Sequence, residues 1–201
     1  MINRNMIKDI DVFRKRCPDN TTSDLSLYVF PWSPLFPLAV HRFGAWINDN
    51  WPRSKAKLIV RVTFKFFYYI GRYLSVIFRK VEIDEDSKID EGVFLSPKGC
   101  IIIGTQTMGS GCIIYHNVTI GHGFGSGQEM KRPNIGKSVC IKTNSIIYGG
   151  VKIGDGCIIS SDTVVKKSIP CDSVVKGNPA SAIAKNHLSP NDQNKISQKL
   201  C

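Results

Sequence analysis

Acidic residues are scarce in this chain. Across 201 residues, 16 aspartates and glutamates stand against 27 lysines and arginines, leaving a net charge of +11. An excess of that size suggests nucleic acid, yet there is no nucleic-acid-binding motif and no basic strand face interleaved with aromatics. No apolar run approaches the roughly 20 residues of a membrane-spanning helix. Met1 to Arg16 mixes acids and bases without an apolar centre, which argues against a secretory signal. Four histidines without a paired His or carboxylate cluster argue against a metal site. The seven cysteines form no CxxC pair and no His-paired ligand spacing, which excludes a zinc or thioredoxin-like centre. Their positions instead imply small packing residues in a reducing cytosol. The length allows one or two domains with a real core, and no segment is of low complexity.

What the chain does have is a period of six. From Val81 to Gly177, aliphatic residues recur at Ile83, Ile89 and Leu95, then Met108, Ile114 and Ile120, then Ile135, Ile141, Ile147, Ile153, Ile159 and Val165. Four places after most of them stands a small or β-branched residue: Ser87, Val93, Cys112, Val118, Val139, Ser145, Val151, Cys157 or Thr163. A period of six fits neither a 3.6-residue helix nor a two-residue strand alternation. It fits a strand of two or three residues followed by a corner, repeated three times per coil of about 18 residues, the hexapeptide β-helix pattern. The aliphatic residue points into the prism and the small one fits beside the corner. Glycine, asparagine and aspartate, as at Gly109, Gly136, Asn144, Gly154 and Asp155-Gly156, suit corners that need positive φ.

Residues 1–80 have helical patterning. A first helix is expected from Met6 to Cys17, and a second from the Ser33-Pro34 start signal to Asn48-Asp49-Asn50, carrying His41 as a packed or partly exposed residue. In the segment Arg53 to Lys80, Lys57, Arg61, Lys65, Arg72 and Arg79 share one quarter of the helix circumference, opposite Ile59, Phe66, Phe67, Ile70, Tyr73, Leu74 and Ile77. Two readings stay open. The apolar side packs on neighbouring helices or subunits with a solvated basic edge, or the helix lies on an anionic bilayer. Residues 81–178 form the prism. In the tail 179–201, Ala182 to Asn186 is expected to be a short helix and Ser189 to Cys201 to be frayed.

The period breaks once. Fourteen residues, Gly121 to Asn134, stand between Ile120 and Ile135, where five belong. A loop ejected from a solenoid adds nothing to its core and generally serves binding. Its alternating glycines mimic a dinucleotide fingerprint, but no helix opens after them. His116 and His122 flank the loop, and His116, two places after the inward Ile114, should reach the prism surface. A histidine there suits removal of a proton from a hydroxyl near neutral pH.

These residues resemble the serine acetyltransferase family within the left-handed β-helix acyltransferases, and look most like its exopolysaccharide and capsule branch. The resemblance rests on His41-Arg42-Phe43-Gly44-Ala45-Trp46-Ile47, Asn117-Val118-Thr119-Ile120-Gly121, Arg132-Pro133-Asn134-Ile135-Gly136 and Gly177-Asn178-Pro179-Ala180. It implies a mainly β fold, a left-handed parallel β-helix after an α-helical N-terminal domain. It also implies a homotrimer with acetyl-CoA between neighbouring prisms, in the cytosol or at the inner membrane face. Serine acetyltransferases carry a histidine in an Asp-His-Gly type segment, paired with an acid one coil earlier, and a second histidine before the proline that ends the loop. Here Ser96-Pro97-Lys98-Gly99 occupies the first segment, Glu82 stands at the acid's place, and Arg132 replaces the loop histidine.

The resemblance therefore implies His116 as general base with His122 in support, and the corners of Gly123, Thr143 and Ser161 along the cofactor arm. Lys166 and Lys176 are candidates for the coenzyme A phosphates, and Arg132 for an anionic acceptor. The expected reaction is acetyl transfer from acetyl-CoA to a hydroxyl of a surface glycan or its precursor, without a metal. Serine as acceptor and a non-catalytic trimeric scaffold docking at a membrane are the alternatives.

Overall fold

The computed structural model describes residues 4–16, 31, 33–50, 58–122 and 131–185. Among the described residues three helices, α1 (Arg4–Arg16), α2 (Phe36–Asn50) and α3 (Leu58–Leu74), precede fifteen short strands, and α3 runs on into a π turn at Ser75–Arg79. The second helix starts two residues beyond Pro34, because Ser33 to Leu35 form a tighter turn in which the Phe36 N–H donates to the Ser33 carbonyl at 3.3 Å. Residues 53–57, expected to open the third helix, lie outside the described residues.

The strands wind a parallel three-sided prism. The first face stacks β1 (Val81–Ile83), β4 (Ile101–Ile103), β7 (Val118–Gly121), β10 (Ile146–Tyr148) and β13 (Val164–Val165). The second stacks β2 (Lys88–Ile89), β5 (Thr107–Met108), β8 (Asn134–Ile135) and β11 (Lys152–Ile153), extended by an isolated bridge from Ile153 to Ile169. The third stacks β3 (Phe94–Leu95), β6 (Ile113–Ile114), β9 (Cys140–Ile141), β12 (Ile158–Ile159) and β14 (Ser173–Lys176). All twelve aliphatic positions of the hexad are buried, and so are all nine small positions. Like side chains stack directly, as in Ile103, Ile120, Ile147 and Val165. Each such burial is worth roughly 1.5–3 kcal/mol.

Side-chain chemistry reinforces one corner. Asn117, Asn144 and Asp162 take positive φ of 58°, 60° and 58°, a region their short polar side chains tolerate. Their side chains link coil to coil: Asn117 Nδ2 donates to Asn144 Oδ1 at 3.2 Å, and Asn144 Nδ2 to Asp162 Oδ1 at 3.0 Å.

The helices dock on the first coil through buried polar groups. The Asp9 carboxylate accepts from the Gly92 and Val93 N–H groups at 2.7 and 3.2 Å and faces the Arg42 guanidinium at 3.4 Å. Arg42 also donates to the carbonyls of Ile89 and Asp90. Burial pushes the Asp9 pKa up despite Arg42 and the two N–H donors. His41 is a packed histidine whose Nε2 meets the Ser87 carbonyl at 2.9 Å. Burial, and then the Arg42 charge, bring its pKa down to about 4, so the ring is neutral and donates.

Within the chain, α3 does not pack its apolar side on the neighbouring helices as one expectation had it. Its described basic residues face the protein: Lys65 pairs with Glu85 at 2.6 Å, Arg72 with Glu82 at 2.7 Å, and Arg79 donates to the Pro97 carbonyl at 2.5 Å. The apolar side is the exposed one, with Phe66 62% and Tyr73 67% accessible. Two glycines set this rotation. A Cβ on Gly44 would lie 2.5 Å from the Tyr68 ring, and one on Gly71 would lie 3.0 Å from Val40, so α2 and α3 approach closely along the line that buries Tyr68.

The C-terminal end also departs from expectation. Ser181–Lys185 is a strand, β15, antiparallel to β14, rather than the start of a helix. The last coil leaves the β14 edge unpaired, and the turn from Gly177 brings the chain back to satisfy it. Residues 186–201, expected to fray in part, lie outside the described residues.

Candidate functional site

The register of the third face aligns the candidate residues. Leu95, Ile114, Ile141, Ile159 and Val175 sit one above another. Two residues further on, His116, Thr143 and Ser161 therefore occupy successive levels at the corner leading to the first face. Their spacing follows the strand separation of about 4.8 Å. This single column joins three of the sequence-derived site residues.

His116 is half-buried at the first of these levels. Its carbonyl accepts from the Asn144 N–H at 3.3 Å, which fixes the backbone to the next coil. Below it lies Gly99, at φ +82°, where a Cβ would stand 2.5 Å from the His116 Cβ. Among the described residues no side-chain hydrogen bond engages the imidazole. A ring nitrogen on the outer flank of the prism with no internal partner is free to exchange a proton with a bound hydroxyl.

His122 does not join this column. It follows β7 directly and is exposed at the opposite edge of the first face. Four strand residues put roughly 13 Å between the two edges. Within one chain the two histidines serve different places.

The remaining candidates are accounted for as follows. Gly123 lies outside the described residues. Arg132, at the loop exit, is ion-paired with Asp84 at 2.9 Å and Asp86 at 3.6 Å, so carboxylates of the chain itself already meet its charge. Lys166 rests over the Tyr148 ring, 5.5 Å from its centroid. Lys176 is exposed on β14. An open groove on the second face, lined by Thr107, Asn134, Lys152, Ser168 and Cys171 among others, contains no histidine.

The buried thiols within the prism do not supply a nucleophile. Cys112 and Cys140 are buried, their pKa values pushed up to about 12 and about 11 by desolvation, and they stay protonated at neutral pH. The Cys112 and Cys157 thiols instead donate to the carbonyls of Gly136 and Pro170. Among the described residues no group of three His, Cys, Asp or Glu side chains is placed to hold a metal ion.

Sequence reasoning missed what α3 does here. Arg72 pairs with Glu82, and Arg79 holds the carbonyl of Pro97, so two arginines tie α3 and its π turn to the first coil. Their spacing is legible in the sequence, but the acidic and carbonyl partners, 10 and 18 residues away, leave no periodic trace.

With this geometry in place, comparison with known proteins gives a consistent picture. Residues 132–167 match the family described as "Bacterial transferase hexapeptide (six repeats)". A serine acetyltransferase of Mycobacterium tuberculosis is 30% identical over 183 residues, covering 90% of this chain and 73% of that protein. A serine acetyltransferase of Helicobacter pylori is 32% identical over 123 residues, covering 59% and 71%. The crystal structure of Neisseria gonorrhoeae serine acetyltransferase superimposes with a TM-score of 0.73 at 22% identity, covering 96% of this chain and 70% of that one. Serine acetyltransferase from Brucella abortus in complex with coenzyme A gives 0.72 at 22%, covering 92% and 68%. The fold is thus the left-handed parallel β-helix preceded by helices.

Proposed function

Because the chain belongs to the hexapeptide acyltransferases, in the family of the serine acetyltransferases, we propose that it transfers an acetyl group to a hydroxyl with His116 as general base. It is an acyltransferase that uses acetyl-CoA as co-substrate. Serine is the acceptor that the relatives' names favour. The observation that carries the reading is the column of His116, Thr143 and Ser161, with an imidazole free of internal side-chain partners among the described residues.

In this reading His116 takes the hydroxyl proton as the oxygen attacks the thioester carbonyl. The oxyanion collapses, the C–S bond breaks, and the proton passes to the departing thiolate. Backbone groups at the corners of Thr143 and Ser161 line the cofactor arm, while Lys166 and Lys176 meet its phosphates. Holding both substrates in one groove supplies much of the rate. The groove lies between prisms of a homotrimer, where His122 at the opposite edge of a neighbouring face supports the acceptor.

A second reading, a sugar hydroxyl of a surface glycan or its precursor, is favoured by one specific observation. The two places where serine acetyltransferases set an acid–histidine pair hold Glu82, bound to Arg72, and Pro97, bound to Arg79. A site without that pair differs where the small amino-acid acceptor would be activated.

The experiment is coenzyme A release from acetyl-CoA with L-serine alone and with de-O-acetylated capsular oligosaccharide alone. Release with serine supports the first reading. Release with the oligosaccharide only, with the added acetyl seen by mass spectrometry, supports the second. Release with neither would remove both.

A further inference from the structure

The corner that carries the site column is fastened by the side chains next to it. Asn117, Asn144 and Asp162 directly follow His116, Thr143 and Ser161 in the chain, and their side chains form a ladder up the outside of successive coils. The first link enters from below, where the Cys100 N–H donates to Asn117 Oδ1 at 3.2 Å. Asn117 Nδ2 then donates to Asn144 Oδ1, and Asn144 Nδ2 to Asp162 Oδ1. Room for the lowest link exists because Gly99 has no side chain. A Cβ there would lie 3.0 Å from Asn117 Oδ1 as well as against His116.

Chemistry fixes the direction of this ladder. An ionised carboxylate only accepts, so Asn144 must turn its amide nitrogen to Asp162 and its oxygen to Asn117. Asn117 must then turn its nitrogen upward, which leaves its oxygen for the backbone donor below. The donor at one end and the carboxylate at the other therefore demand the same orientation of both amides.

The backbone repeats the clamp. The Asn144 N–H donates to the His116 carbonyl at 3.3 Å, and the Asp162 N–H to the Thr143 carbonyl at 3.0 Å. Asn144 thus makes three bonds, one of them to the residue that carries the imidazole. All three ladder side chains are exposed, so each bond replaces a bond to water and adds little net stability. What the ladder secures is geometry. At φ 58°, Asn117 turns the chain directly after His116, and that turn sets where the imidazole leaves the prism.

We propose that Asn144, at the centre of this ladder, is a positioning residue that holds His116 where it meets the accepting hydroxyl. It acts through the base and not on the substrate. The proposal rests on the reading of His116 as general base.

The test is a double-mutant cycle in kcat, with saturating acetyl-CoA and whichever of L-serine and de-O-acetylated capsular oligosaccharide accepts the acetyl group. Asn144→Gly removes the central amide yet leaves a residue that takes positive φ without strain. The control is Asp155→Ala, which removes a coil-to-coil bond from the Lys137 N–H, 2.7 Å long, at a different corner. Asn144→Gly should lower kcat roughly tenfold in the wild type and less than about twofold beside His116→Ala, with the KM for acetyl-CoA unchanged. Asp155→Ala should stay within about twofold of the wild type. Undiminished kcat in Asn144→Gly, or the same loss with and without His116, would overturn the proposal while leaving the base in place. An equal loss in Asp155→Ala would overturn it too, by tracing the effect to general stability. Unchanged turnover in His116→Ala would remove the base, and the proposal with it.

Discussion

Gly99 lies directly beneath His116, and a Cβ added to it would stand 2.5 Å from the His116 Cβ, closer than real side chains approach. The imidazole of the proposed base thus owes its position to an absent side chain one coil below. With a φ of +82°, Gly99 also sits where other residues are strained. Gly99→Ala should lower turnover at least tenfold by displacing the ring and cost about 1–3 kcal/mol of stability. Steady-state kinetics beside urea unfolding checks both. Full activity in a stable variant would show that His116 needs no such support.

Arg132 and Asp84 connect the exit of the Gly121–Asn134 loop to the first coil at 2.9 Å. Both side chains are partly exposed, so the pair contributes about 1 kcal/mol or less to stability. Its effect should fall on the substrates instead. Arg132→Ala is expected to raise the KM for the acceptor several-fold with little change in melting temperature, and Asp84→Ala should behave alike. If Arg132 binds an anionic acceptor directly, Asp84→Ala will instead lower KM, by freeing the guanidinium.

His41 predicts a pH dependence. Its folded pKa of about 4 lies below its ordinary 6.5, so between these values the unfolded chain binds the extra proton. The stability it contributes is complete above pH 6.5 and is lost as pH falls toward 4, by roughly 3 kcal/mol. Asp9 acts oppositely, because burial raises its pKa and its contribution shrinks as pH rises from 3.8. The comparison is therefore wild type against His41→Gln, whose amide can still donate to the Ser87 carbonyl. Urea midpoints should converge as pH falls from 6.5 to 4. A constant difference would contradict a buried neutral ring.

The prism could be read from the sequence because its determinants are local and repeated. Every inward aliphatic from Ile83 to Val165 occupies the place its spacing predicts, and Cys112 and Cys157 fill small slots as Ser87 and Ser145 do. The column of His116, Thr143 and Ser161 follows from the same count. The rotation of α3 could not be read that way, since Gly44 and Gly71, far apart in sequence, decide which side packs. Those two glycines were the available signal. The strand Ser181–Lys185 was likewise missed, because its partner is an edge that exists only after the last coil has formed. The pairing of Arg132 with Asp84 joins residues 48 apart in sequence and leaves no periodic trace.

The most direct measurement is the acetyl-transfer rate of His116→Ala with saturating acetyl-CoA and the accepting compound, beside its affinity for coenzyme A. A general base removed from an otherwise intact groove should lower kcat by about 10²–10⁴-fold and leave coenzyme A binding within about twofold. Unchanged turnover in the variant would contradict the account.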